Sequence, residues 1–167
     1  MTRLRVLSVF CVIALSVTAL TLTGKGKTEP ISAVVLTPTP TPEPTAVQFK
    51  SYRGVAIGMS AEQARQKLGT PKERSNSGDY YVISQGESVQ LIFEKDLTIK
   101  SLTVNYTGDL KGAPSPKDVF GVDVKKEPDG SITKMVSFPK DGYWASFVRT
   151  GGKDAMIIVT LQKLAEQ

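Results

Sequence analysis

The sequence predicts an α+β domain: two tandem helix–β–β–β units, with the helices packed on one face of an antiparallel sheet. Three observations carry this. A complete helix signature occupies residues 58–71. Three alternating apolar segments follow it. The same order then recurs in the second half of the chain. Alternation of period two buries one sheet face, and a helix with a narrow apolar stripe is what covers it.

The first helix is written in full. Ser60 with Gln63 forms a capping box, in which each satisfies a free amide of the helix start. Met59 can staple onto Ala64, and Ala61, Ala64 and Leu68 share one face. Gly69 suits a left-handed C-terminal cap and Pro71 stops continuation. Strands are then expected over 79–84, 88–94 and 98–106, turning at Gln85-Gly86-Glu87 and Lys95-Asp96. The second unit opens on Ser115-Pro116-Lys117-Asp118, an N-cap followed by proline at the first helical position, and Gly121 ends that short turn. Strands are expected over 131–138, 143–149 and 155–162. The units span about 55–107 and 113–163 of a body running from 46 to 167.

Before the body come two segments of different character. Residues 6–23 are 18 positions without a charge, preceded by Arg3 and Arg5. Residues 1–23 read as a secretory signal peptide, cut after Ala19, or as an uncleaved single-pass anchor. As a helix the uncharged stretch would span about 27 Å, close to the thickness of a bilayer core. Both readings place the body outside the cytoplasm, membrane-anchored or secreted. Residues 24–45 read as a Thr/Pro-rich linker, with four prolines in TPTPTPEPT favouring extended polyproline II. Cys11 follows Phe10 in mid-stretch, which does not fit bacterial lipidation.

Composition excludes several chemistries. The 167 residues contain no His and one Cys, so the chain holds no His base, no His-activated nucleophile, no His ligand and no intrachain disulfide. The net charge is +5, but Arg3, Arg5, Lys25, Lys27, Glu29 and Glu43 lie before the body, which keeps 17 basic and 14 acidic residues. Its charges alternate in sign, without the basic footprint that nucleic-acid binding needs.

Other motifs resolve into local structure. Ser131-Ile132-Thr133-Lys134 matches an S-x-x-K nucleophile motif, but that chemistry needs a helix, and Asp129-Gly130 introduces a β-branched strand. Asp123, Glu127 and Asp129 lack the spacing of a calcium loop. Gly151-Gly152-Lys153 lacks the frame of a phosphate loop and reads as a hairpin turn. Asn105-Tyr106-Thr107 is a glycosylation sequon. No catalytic residue, metal or cofactor is expected.

The candidate binding residues are aromatic. Tyr80, Tyr81, Tyr143 and Trp144 form two adjacent pairs on strands, so one ring of each pair enters the core and the other lies on the opposite face. Tyr and Trp are efficient anchors when exposed there.

Gly58-Met59-Ser60, Gln63-Ala64, Leu68-Gly69 and Pro71 resemble the opening motif of the SmpA/OmlA domain of outer-membrane assembly lipoproteins. The tandem arrangement is similar to the related β-lactamase inhibitor protein fold. The close match covers about 14 residues and the looser pattern most of 55–106. This chain differs in lacking a lipidation site and the inhibitors' two Cys pairs, and in adding the proline stalk. The resemblance implies an open sheet face that holds protein partners. The expected function is therefore non-catalytic binding or scaffolding of an envelope or extracellular protein. Inhibition of a secreted hydrolase or protease through the 139–143 loop, and binding of an envelope polymer, are the alternatives.

Overall fold

The computed structural model describes residues 43–44 and 46–165. Two α-helices, one short 3-10 helix (Leu110–Gly112) and a single seven-stranded antiparallel sheet are its regular elements. Helix α1 (Ala61–Leu68) starts at the predicted capping box: the Ser60 hydroxyl accepts from the Gln63 amide at 3.3 Å, and the Gln63 carbonyl oxygen accepts from the Ser60 amide at 3.1 Å. It ends at Gly69, but at φ 84° and ψ −153° rather than in the left-handed helical conformation expected, because the chain leaves directly in extended form toward Pro71. Helix α2 (Pro116–Phe120) has Ser115 as its N-cap, with Asp118 closing the box. Gly121 terminates it at φ 74°, ψ −2°, the left-handed cap that glycine adopts without strain.

The strands are β1 (Glu73–Arg74), β2 (Gly78–Ser84), β3 (Glu87–Phe93), β4 (Ile99–Tyr106), β5 (Ile132–Phe138), β6 (Tyr143–Arg149) and β7 (Ile157–Lys163). Their order in the sheet is β1-β2-β3-β4-β7-β6-β5. Each unit is a meander, and the two join through their third strands, with Leu102 opposite Leu161 and Val104 opposite Val159. The β2–β3–β4 and β5–β6–β7 meanders therefore lie on either side of the central β4–β7 pair.

One face of this sheet carries the core. Tyr81, Leu91 and Leu102 from the first unit and Phe147, Val159 and Leu161 from the second are buried against Ala61, Ala64, Val119 and Phe120 of the helices. Each Leu, Val or Phe among them contributes about 1.5–3 kcal/mol when fully buried. Val47, Tyr52 and Val55, ahead of α1, join the same core. The Gln48 amide donates to the Val119 carbonyl at 2.8 Å, and the Gly58 amide to that of Ile99 at 2.8 Å. The segment before α1 is thus tied to both units, a role no periodic pattern announces.

Among the described residues, no helix is long and apolar enough to cross a membrane. The longer helix, α1, has eight residues and spans about 12 Å against a hydrocarbon core of about 30 Å. The single-pass anchored reading is corrected to this extent: no described helix supplies a membrane span. Residues 1–23, on which the signal and anchor readings fall, lie outside the described residues, as does the 24–45 linker except at 43 and 44.

Candidate functional site: the helix-free face of the sheet

Antiparallel register puts directly opposed residues on the same face, so the pairings define the helix-free face row by row. The central row runs Tyr80, Gln90, Thr103, Thr160, Ser146, Met135 across β2, β3, β4, β7, β6 and β5. On one side lies Gly78, Ile92, Ser101, Gln162, Trp144, Ser137, and on the other Val82, Ser88, Asn105, Ile158, Val148, Thr133. None of these three rows of six contains a charged residue. Glu73, opposite Tyr80 on the short edge strand β1, is the one charge in register with them.

The rows have an internal order. Apolar and aromatic side chains take half the positions of each wing, with Tyr80, Val82 and Ile92 on β2–β3 and Trp144, Val148 and Met135 on β6–β5. Hydroxyls and amides predominate between them. Val82, Ile92 and Met135 are 51 %, 42 % and 65 % exposed, large values for such residues. No apolar side chain of the three rows joins the core cluster or packs against it. At the centre the Thr103 and Thr160 hydroxyls lie 3.1 Å apart across the β4–β7 seam. The Ser101 hydroxyl donates to the Leu161 carbonyl at 3.4 Å. These polar groups are partly satisfied within the sheet itself.

The four aromatic candidates divide between the faces. Tyr80 and Trp144 lie on the helix-free face, four strand steps and roughly 19 Å apart. They belong to opposite wings rather than to one cluster. Tyr81 is buried on the core face, where its hydroxyl donates to Asp79 at 3.1 Å; burial, then the neighbouring carboxylate, pushes its pKa up to about 12. Tyr143 also faces the core side, 6.5 Å from the Phe138 ring, and its phenol is shifted upward chiefly by burial. Exposed Val82, Ile92 and Met135 were not singled out from the sequence. Their signal is present as large apolar residues at alternate positions that should have been polar.

A polar cluster sits at the other end of the first unit. The Arg53 Nε donates to the Tyr52 hydroxyl at 2.9 Å, and its Nη2 lies 3.3 Å from the Glu87 carboxylate. Arg53 adopts φ 48°, with its guanidinium 5.5 Å from the Tyr52 ring centre. Burial foremost, reinforced by Glu87, raises the Tyr52 phenol well above its usual range and takes that of Tyr106 to about 12. A cleft of about 660 Å³ opens beside Glu87, Tyr106 and Asp109. The two phenols are shifted upward and Arg53 is paired with Glu87, so the cluster is suited to fixing the 52–55 turn over the sheet end.

Elsewhere the motifs are structural. The Ser131 hydroxyl and amide both donate to Asp129, at 2.7 and 2.9 Å, and this holds the Asp129 carboxyl below its usual range. Lys134 lies on β5, so the S-x-x-K residues are in extended rather than helical chain. Among the described residues, no group of three or more potential ligands is placed to hold a metal ion. The 139–142 turn is short, with the Asp141 and Gly142 amides both donating to the Phe138 carbonyl at 3.0 Å. No protein-family profile, curated protein or solved structure matches the chain.

Proposed function

We propose that this chain is a non-catalytic protein-binding domain that engages its partner with the helix-free face of the sheet. The observation that carries this is the absence of charge from three rows spanning six strands. At 22 % charged residues, 18 positions drawn at the chain's average would hold about four. A sheet face that only meets water normally alternates polar-out with Lys, Glu and their like. Here the alternate positions are Thr, Ser, Asn and Gln flanked by exposed apolar groups, the composition of a surface that is covered when it works. The resemblance to the β-lactamase inhibitor protein fold points to the same use of the face. The absence of His and the single Cys favour binding over catalysis.

Affinity capture from an extract of the source cells tests this, comparing the full chain with Tyr80→Ala/Trp144→Ala. Circular dichroism establishes that the variant folds. A retained protein should be lost at least about tenfold in the variant, the effect of removing interface anchors. Tyr143→Ala, altered on the core face, should retain it. Equal capture by the parent and by Tyr80→Ala/Trp144→Ala would refute the assignment of the face.

A further inference from the structure

We infer that the partner of the helix-free face is a second copy of the same chain, packed face to face to make a two-layer sandwich of two seven-stranded sheets. This rests on the reading of that face as a protein-binding surface and names what covers it.

Charge is the first argument. In a two-fold contact the same patch meets itself, so any net charge on the patch confronts its own sign. The body carries 17 basic and 14 acidic residues, yet none falls in the three rows. Layout is the second. The apolar wings flank the central seam on both sides. A two-fold axis along the strands sets the β2–β3 wing on the partner's β6–β5 wing; an axis across them sets each wing on its own copy. In either case wing meets wing, and the exposed Met135, Ile92 and Val82 gain cover.

The polar centre allows such a contact. Thr103 and Thr160 bond across the seam and Ser101 bonds to Leu161, so these hydroxyls keep a partner when water is excluded. Size also fits. Six strands by seven residues give roughly 24 by 23 Å, hence about 1,100 Å² over both copies, at the low end of specific interfaces. Stacked sheets at about 10 Å separation interdigitate such side chains. A contact of this size predicts a reversible dimer, with dissociation in the range of roughly 1 to 100 μM.

Sedimentation velocity of the full chain over about 1 to 300 μM spans that range. The chain should pass from monomer to dimer. Met135→Lys and Ile92→Lys, each placing two new charges in the contact, should each weaken association at least about tenfold. Gln66→Lys, the same change on the exposed side of α1, should leave it unaltered. Monomer at every concentration would overturn the dimer, as would association indifferent to Met135→Lys and Ile92→Lys. A monomer that still captures another protein through Tyr80 and Trp144 loses this inference and keeps the protein-binding face. A monomer that instead retains a polysaccharide, lost with Trp144→Ala, loses both.

Discussion

Asp79 shows how a single residue commits α1 to one side of the sheet. Its side chain has no exposure, and it accepts from Arg65 Nε at 2.8 Å, from Arg65 Nη2 at 3.0 Å and from the Tyr81 hydroxyl. Arg65 reaches down from α1 with its guanidinium 5.7 Å from the Phe93 ring centre. Taking a carboxylate out of water costs several kcal/mol, which this fork of hydrogen bonds offsets. Arg65→Met should therefore destabilise the fold by about 3–5 kcal/mol, because it leaves the charge buried without its cation. Adding Asp79→Leu should restore much of that loss. Urea denaturation of both variants reads the difference, and equal losses would show that the pair is not what holds α1 down. The clamp acts wholly on the core face and leaves Tyr80, the next residue, turned outward.

At the scale of elements, what was legible in the chain was whatever local chemistry alone determines. Ser60 and Gln63, Ser115 and Pro116, and Gly121 specify helix ends through groups within four residues of one another. The six longer strands follow from alternation. Strand β1 escaped because two residues carry no period, and Val47, Tyr52 and Val55 escaped because the core reaches them through long-range pairing. The charge-free face was half legible: Ser101, Thr103 and Asn105 stand at alternate positions, as do Ile158, Thr160 and Gln162. Only the β4–β7 register reveals that these runs adjoin. Register depends on close packing too. A Cβ at Gly78 would collide with the Leu91 carbonyl oxygen across the β2–β3 pair, so the strands approach there only because position 78 is glycine. Gly78→Ala should destabilise by about 1–3 kcal/mol through this forced separation. Amide exchange should accelerate first in β2 and in the adjoining part of β3; uniform acceleration would argue against a local wedge.

For the whole molecule, the segregation of chemistry between two faces matters more than any one residue. The helices, the segment before α1, the buried ion pair and the Tyr52–Arg53–Glu87 cluster serve the core side and one sheet end. Among the described residues no helix covers the other face, its three rows hold no charge, and its apolar groups lie chiefly in two wings beside a partly satisfied polar centre. Trp144 is the only tryptophan in the chain and stands on that face, so it reports on the central claim without interference. The most direct measurement is fluorine NMR of the full chain labelled with fluorotryptophan, diluted and concentrated, and then placed in unlabelled cell extract. The single resonance should shift or broaden with the chain's own concentration, or on addition of an extract from which it retains a protein, while Met135→Lys suppresses the change. A resonance that stays put while association or capture is demonstrated on the same samples would contradict the account, because binding would then be taking place on another surface.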